Sequence, residues 1–288
     1  MLISLFAASL LWTGEQQGGT TIVAIKTKAG IVLAGDSRIV GKDGAALPDM
    51  AKIMTLHGCA IGTWGMGRGW FEFPPDYPRE PGKPHHVFYD FEPFVREATA
   101  DLPAYTPKRI AAALKHALEH FYEDWRHYAA HQRLPQLVSG PDYVGFLVVG
   151  YEHGRAAVVA VRIPRDPASN KIHPPELTER IPNTTGLSVA GANAAIQRVA
   201  SSDGKERETA MLLAPSATAK ALRSHGPWLT LDEARQYSVA LIQVEAQDNP
   251  GVGFPVRVAT VLPTGDVSIT EIADPSPGSF TVPRPAHD

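Results

Sequence analysis

The chain has 288 residues, 44% of them hydrophobic and 20% charged, and a formal net charge of −3. This is the composition of an ordinary globular protein that is long enough to bury a full core. The near-neutral charge argues against nucleic acid or an anionic membrane as a partner. The single cysteine, Cys59, excludes an internal disulfide. No run reaches the roughly 18 apolar residues of a membrane span.

The first twelve residues are apolar and resemble the hydrophobic region of a signal peptide. They lack the basic segment that normally precedes such a region. A pro-segment that is removed before Thr20 and an unprocessed extension are two further interpretations. Because the basic segment is missing, we expect a cytoplasmic protein, with export as the alternative.

A predicted β-hairpin follows this extension. Residues 21–27 and 31–34 are short apolar runs, and Gly30 ends the turn between them, where it can adopt a positive φ. A hairpin brings its two ends together, so Thr20 should lie beside Asp36 on an opposing or adjacent rung. A hydroxyl and a carboxylate would then meet at the open end of the hairpin.

The rest of the chain predicts a second hairpin over residues 52–64, which we expect to join the first in an antiparallel sheet, and then helices and strands in alternating groups. The predicted helices cover residues 91–102, 107–132, 192–202, 211–221 and 230–247, the last starting with the capping box Thr230-Leu231-Asp232-Glu233. The other predicted strands cover residues 143–150, 156–162, 187–191, 254–262 and 266–272.

Two segments have alternative interpretations. Residues 70–84 are rich in proline and aromatic residues, which excludes a helix or a central strand. They predict a surface loop, or alternatively a lid or subunit contact. The long helix carries His120, His127 and His131, whose irregular spacing favours solvent-exposed histidines over a metal site. We expect neither a metal nor a cofactor.

No repeat or linker divides the chain. We therefore expect an extension over residues 1–19, a single domain over residues 20–272 and a mobile Pro-rich tail over residues 273–288. Strands that are apolar on both faces need cover on both sides, and the helices come in two groups. The expected fold is α+β, a four-layer αββα sandwich of two antiparallel sheets between helical layers.

The first strands also carry a family resemblance. The residues concerned are Gly19-Thr20-Thr21, Gly30, Ala34-Gly35-Asp36-Ser37-Arg38, Lys52 and residues 62–67. They resemble the proteasome β-subunit family of N-terminal-nucleophile (Ntn) hydrolases, and the chain looks like a divergent bacterial-type member. The resemblance covers most of residues 20–272 and is specific only in its first part. It implies the same αββα sandwich.

The resemblance implies a threonine hydrolase that cleaves peptide or amide bonds after it removes residues 1–19. It also implies a homo-oligomer, a ring or a dimer, with an unfoldase as a partner. The implied site residues are Thr20 as nucleophile, Asp36 and Lys52 as its charged partners, Gly65, Met66 and Gly67 as the oxyanion-binding backbone, and Arg38 and Asp248 in support.

The chemistry of such a site also follows from the residue types. A threonine hydroxyl is a poor nucleophile at neutral pH and needs a base. A free α-amino group has a pKa of roughly 7.7–8.0 and would sit on the same residue. A charged Lys52, oriented by Asp36, would lower the pKa of that amine and favour its basic form.

Two positions depart from the family pattern. Ala192 follows Gly191, and Gly251 lies three residues after Asp248, where the family often has serines that support the amine. These departures leave two alternatives open: a catalytically inactive assembly subunit, and a small-molecule amidase of the same superfamily.

Overall fold

Two antiparallel five-stranded sheets form the centre of the protein in the computed structural model. The structure describes residues 20–40, 46–47, 50–72, 86–131, 141–166, 168–169, 171–181, 185–201, 229–249 and 251–273. Sheet I has the strand order β12-β1-β2-β13-β14, and sheet II has the order β11-β10-β9-β6-β5. Two further strand pairs, β3–β4 and β7–β8, form small two-stranded sheets.

The elements have the following bounds. The strands are β1 (Thr21–Lys26), β2 (Ile31–Asp36), β3 (Ile39–Val40), β4 (Ala46–Leu47), β5 (Ile53–Leu56), β6 (Cys59–Gly65), β7 (Arg68–Glu72), β8 (His86–Asp90), β9 (Asp142–Glu152), β10 (Arg155–Pro164), β11 (Glu176–Glu179), β12 (Gly186–Gly191), β13 (Val256–Val261) and β14 (Val267–Ile272). The helices are α1 (Phe91–Thr99), α2 (Pro107–His131), α3 (Ala194–Ser201) and α4 (Leu231–Asp248).

Three hydrophobic clusters hold four layers together. The cluster between the sheets includes Ile22, Leu33, Trp64, Leu147 and Val158. A second cluster packs α1 and α2 against sheet II, with Phe94, Leu114 and Phe146 among its members. A third packs α3 and α4 against sheet I, with Val23, Ile196 and Leu241 among its members. The predicted α+β fold, an αββα sandwich of two antiparallel sheets, is confirmed.

The prediction that the first two hairpins share a sheet is wrong. The β1–β2 hairpin belongs to sheet I and the β5–β6 hairpin to sheet II. The second edge of β2 pairs instead with β13, with Val256 opposite Asp36. Local patterns identify a hairpin through its turn, but a partner more than 200 residues away in the chain leaves no local signal.

Five further strands were missed: β3, β4, β7, β8 and β11. Residues 70–72 belong to β7, which pairs with β8, so the predicted loop starts too early. The short strand β11 lies between the predicted strands over 156–162 and 187–191, and its Leu177 is opposite Val161 of β10. The predicted helix over 211–221, residues 73–84 and the tail from residue 275 lie outside the described residues, as do the side chains of His127 and His131.

The start of α4 confirms the predicted capping box. Thr230 Oγ1 accepts a hydrogen bond from the Glu233 N–H over 3.3 Å, and Glu233 Oε2 accepts one from the Thr230 N–H over 2.8 Å. The two reciprocal bonds provide acceptors for N–H groups that have no intrahelical acceptor at the start of a helix. Of the helices that the structure describes, none is long and apolar enough to cross a membrane.

The packing of α2 on sheet II gives a direct stability test. Leu114 is fully buried in that interface, whereas Leu177 on β11 is 41% exposed. We expect Leu114→Ala to lower the free energy of unfolding by about 2–5 kcal/mol, because it leaves a cavity that the helix cannot fill. The matched change Leu177→Ala should cost less than about 1 kcal/mol. Urea denaturation of both variants measures the difference, and equal losses would contradict this packing.

Candidate active site

The candidate site lies at the open end of the β1–β2 hairpin. Ile22 is opposite Gly35 in the hairpin register, so Thr21 and Asp36 meet just beyond the last pair. The Thr21 N–H donates to Asp36 Oδ1 over 2.8 Å. The carboxylate therefore binds the peptide unit that joins Thr20 to Thr21.

The closed end of the hairpin corrects one prediction. Thr27 Oγ1 accepts hydrogen bonds from the N–H groups of Ala29 and Gly30, and the Thr27 N–H donates to the Gly30 carbonyl over 2.8 Å. Gly30 does not adopt the predicted positive φ. A Cβ at this position would lie 2.8 Å from the Val261 carbonyl oxygen. The close approach of β13, rather than the turn conformation, requires a glycine here.

A buried ion pair completes the site below the hairpin. Lys52 Nζ lies 2.8 Å from Asp36 Oδ2 and donates to the Arg38 carbonyl over 2.7 Å. The side chains of Lys52 and Asp36 are 4% and 0% exposed. The Gly253 N–H also donates to Asp36. The carboxylate is thus surrounded by one cation and two backbone donors.

Burial governs the protonation of this carboxyl group. It raises the pKa of Asp36 above its ordinary value, while the Lys52 cation and the N–H groups of Thr21 and Gly253 act in the opposite direction. Removing either charge would leave its partner buried without compensation, which is costly. Each charged group is therefore held in place by the other.

Strand β12 holds the residue predicted as the nucleophile. The Ala192 N–H donates to the Thr20 carbonyl over 2.7 Å, and Thr21 Oγ1 donates to the Ala192 carbonyl over 2.7 Å. Gly191 has a φ of +79°, and a Cβ there would lie 1.8 Å from the Thr20 carbonyl oxygen. In the described part of the chain, the Thr20 hydroxyl makes no hydrogen bond to Asp36 or Lys52. Thr20 therefore lies beside the ion pair because Asp36 binds the Thr20–Thr21 peptide unit, not the Thr20 hydroxyl.

Of the predicted oxyanion segment, Gly65 is the last residue of β6 in sheet II, and Met66 and Gly67 follow it. Trp64 Cβ would be 3.1 Å from a Cβ placed on Gly191, so the end of β6 approaches the end of β12. The Met66 N–H already donates to the Tyr143 carbonyl over 2.9 Å, and the Gly67 carbonyl accepts from the Phe91 N–H over 3.0 Å. Met66 is therefore unsuited to bind an oxyanion, and Gly65 and Gly67 remain as candidates.

The structure describes contacts for one of the two predicted supporting residues, Arg38. Arg38 contributes its carbonyl to Lys52, and its side chain lies against Gly253. Asp248 is the last residue of α4, but its side chain lies outside the described part of the chain. The next residue, Asn249, is buried, and its Oδ1 accepts from the Gly251 N–H over 2.9 Å, which shapes the loop before Gly253.

Sequence reasoning missed three contributors: Thr21, Asn249 and Gly253. The glycines at positions 251 and 253 and the second threonine after Gly19 were visible in the sequence. Nothing local showed that they would contact Asp36 or Ala192. Among the described side chains, no group of three or more His, Cys, Asp or Glu residues could hold a metal ion.

The two packed sheets, with the Thr20 junction and the Asp36–Lys52 pair at one end of their interface, form an Ntn-like αββα sandwich. No family model matches the sequence, and no curated protein matches it. Comparison with solved structures does find matches, and all three described below are Anbu proteins.

Anbu (ancestral beta-subunit) from Yersinia bercovieri has a TM-score of 0.52 and 13% identity, covering 88% of this chain and 87% of that chain. An Anbu (Gly-1) mutant from Hyphomicrobium sp. strain MC1 has a TM-score of 0.50 and 15% identity, covering 89% and 88% of the two chains. Another Anbu structure from the same strain has a TM-score of 0.51, 13% identity and 88% coverage of both chains. At these identities the likeness shows the fold alone.

These matches correct the family assignment. The resemblance to the proteasome β-subunit family is wrong, because the matching structures are Anbu proteins, which have a proteasome-like fold but are not proteasome β-subunits. The motif residues that suggested the family lie in and beside two hairpins, β1–β2 and β5–β6. These motif residues therefore did not distinguish Anbu from the proteasome β-subunits.

The buried ion pair provides a stability prediction. We expect Lys52→Met to lower the free energy of unfolding by about 3–5 kcal/mol, because Asp36 keeps a buried charge without its cation. The control Arg257→Met breaks the partly exposed Arg257–Glu271 pair of 2.9 Å between β13 and β14, and should cost less than about 1 kcal/mol. Urea unfolding of both variants measures the costs. A Lys52→Met cost as small as that of the control would contradict the role of the pair.

Alanine substitutions at two glycines distinguish the cost of steric contact from the cost of backbone strain. Gly191 and Gly154 have φ values of +79° and +74°, but a Cβ on Gly154 would meet nothing within 4 Å. Gly154→Ala should therefore cost only the roughly 1–2 kcal/mol of a left-handed alanine. Gly191→Ala should cost more, because its Cβ would displace the Thr20 carbonyl.

Amide hydrogen exchange reports that displacement directly. In Gly191→Ala the Ala192 N–H should lose protection, since its acceptor is the Thr20 carbonyl, while in Gly154→Ala it should keep the protection of wild type. Unchanged protection in both variants would show that the junction does not depend on the glycine.

Proposed function

We propose that the protein is an N-terminal threonine hydrolase that cleaves peptide or amide bonds, with residues 20–272 as its hydrolase domain. The observation that carries the proposal is the buried Lys52–Asp36 pair, whose carboxylate binds the Thr20–Thr21 peptide unit. A fully buried charge pair is costly to maintain for stability alone. Its position beside a threonine at the start of a strand favours a catalytic role.

In this proposal, cleavage of the Gly19–Thr20 bond frees the α-amino group of Thr20. That amine has an ordinary pKa of roughly 7.7–8.0, which suits a general base near neutral pH. The Lys52 cation, oriented by Asp36 and the Arg38 carbonyl, lowers the pKa of the amine and favours its neutral form. The base and the nucleophile then belong to the same residue.

The reaction proceeds by acyl transfer. The amine takes the proton of the Thr20 hydroxyl while the oxygen attacks the substrate carbonyl. The proton then passes to the leaving nitrogen, the amide bond breaks, and an ester to Thr20 remains. Water hydrolyses this ester with the amine again as the base. The N–H groups of Gly65 and Gly67 are the candidates to stabilise the oxyanion of the tetrahedral intermediate.

A catalytically silent assembly subunit is the second candidate. Ala192 holds Thr20 and Thr21 only through its backbone N–H and carbonyl, and it offers no hydroxyl to the amine. The Yersinia bercovieri neighbour is described as an ancestral beta-subunit. Self-association of several copies, as a dimer or a ring, belongs to both candidates and does not separate them.

An N-terminal mass measurement and an active-site probe distinguish the two candidates. We expect the purified wild-type chain to start at Thr20 and to be labelled there by an electrophile directed at N-terminal threonines. Thr20→Ala should retain residues 1–19 and remain unlabelled. Lys52→Ala should label at least about 100 times more slowly, the scale expected when assistance to proton transfer is lost.

Thr264→Ala serves as the matched control. This threonine lies in the exposed β13–β14 turn, where its hydroxyl contacts only Asp266 among the described residues. The control should process and label like wild type. A wild-type chain that still carries residues 1–19 and takes no label would overturn the hydrolase proposal and favour the silent subunit.

A further inference from the structure

A small cavity lies between the two sheets beside the Thr20 junction. Its volume is about 120 Å³, and its lining includes Trp64, Asp142, Arg162, Arg180, Gly191 and Asn193. Sites that enclose a whole small-molecule ligand are typically about 300–1,000 Å³. This cavity is therefore of a size for one side chain or one terminal group of a larger substrate.

The ion pairs around the cavity are unevenly distributed between its two arginines. Arg162 is paired, with 3.0 Å to Asp142 Oδ1 and 3.0 Å to Glu176 Oε2. Asp142, the acidic residue of the lining, also accepts from Trp64 Nε1 over 2.9 Å. Both carboxylate oxygens of Asp142 are therefore already engaged by groups of the wall.

Arg180 is the arginine of the lining whose hydrogen-bond partners are neutral. Its Nε donates to Ser188 Oγ and one terminal nitrogen donates to the Val189 carbonyl, both over 3.3 Å. These acceptors are neutral, and no carboxylate in the described residues lies within 4.0 Å of the guanidinium. The Arg180 side chain is exposed; desolvation and the nearby Arg162 charge lower its pKa, while the Asp142 charge acts in the opposite direction. A guanidinium in this position gains from an anion that reaches it.

The position of Arg180 links this charge to the proposed nucleophile. Ser188 and Val189 lie on β12, two or three residues before Gly191, which contacts the Thr20 carbonyl. At about 3.4 Å per residue, this separation is roughly 7–10 Å. An extended substrate with its scissile bond at Thr20 could therefore reach Arg180 with a group one to three residues away.

We propose that this cavity is a substrate subsite that binds a carboxylate, with Arg180 as its ligand. The proposal rests on the hydrolase function proposed above and names the substrate class: peptides with a carboxylate near the scissile bond. That carboxylate can come from an acidic side chain or from a free C-terminus. Both present the same two oxygens to a guanidinium.

Three matched fluorogenic peptides test the proposal on the purified wild-type protein. The first has a Glu near the scissile bond and an amidated C-terminus, the second has Gln in its place, and the third is the Gln peptide with a free C-terminal carboxylate. We expect kcat/KM to be about tenfold higher for at least one carboxylate peptide than for the amidated Gln peptide, the scale of one charge-assisted hydrogen bond. Comparison of the two carboxylate peptides shows whether the subsite prefers an acidic side chain or a free C-terminus.

Arg180→Gln should bring the ratio of kcat/KM values between the carboxylate peptides and the amidated Gln peptide close to one. The control is Arg155→Gln, an exposed arginine at the start of β10. It should keep the wild-type preference. Cleavage of all three peptides at equal kcat/KM, or an unchanged preference in Arg180→Gln, would overturn the subsite and leave the hydrolase function in place.

A peptide-binding measurement distinguishes a protein that cleaves no peptide from a protein that lacks the subsite. If wild type takes no label at Thr20 and cleaves no peptide, the hydrolase proposal fails. The same peptides are then titrated against wild type and Arg180→Gln by fluorescence anisotropy. Tighter binding of a carboxylate peptide that is lost in Arg180→Gln supports the subsite, and equal binding of all three peptides overturns it.

Discussion

The buried pair of Lys52 and Asp36 is the interaction on which the rest of the site depends. The pair needs donors and acceptors from elements that are distant in the chain: the Thr21 N–H, the Arg38 carbonyl and the Gly253 N–H. A charged pair without such partners would be less stable than apolar side chains in its place. The surrounding backbone is therefore built around these two side chains.

The order of strands in sheet I places these partners next to the ion pair. Strand β1 is flanked by β2 and β12, and β2 is flanked by β1 and β13, so both edges of the hairpin are occupied. The β12 edge brings Gly191 and Ala192 to Thr20, and the β13 edge brings Gly253 to Asp36. Glycines stand at these close approaches because a Cβ would overlap with neighbouring atoms. The same close approach of neighbouring strands thus determines both the packing of sheet I and the geometry of the site.

The cavity between the sheets extends this site along β12. The sheets are held apart there by Trp64, whose indole is fixed by Asp142, and the charged side chains stand at the rim of the apolar cluster. Where two packed sheets end, charged side chains can reach water while their stems remain in the core. Arg162 and Arg180 follow this pattern, and only Arg162 is matched by carboxylates within the described chain. Recognition of a substrate carboxylate would follow from this uneven pairing.

The sequence by itself determined the local elements: the hairpins, the long helix α2, the capping box of α4 and the two strands β9 and β10 with both faces buried. It also placed Thr20 beside Asp36, because a hairpin joins its ends, whereas Lys52 came from the family resemblance. Only the tertiary structure decided that the two hairpins lie in different sheets, that Gly30 is required by β13, and that Ala192 binds Thr20 and Thr21. Turn propensity and hydrophobic period are properties of neighbouring residues, whereas a contact such as Thr21–Ala192 joins residues 171 positions apart and depends on the register of whole strands.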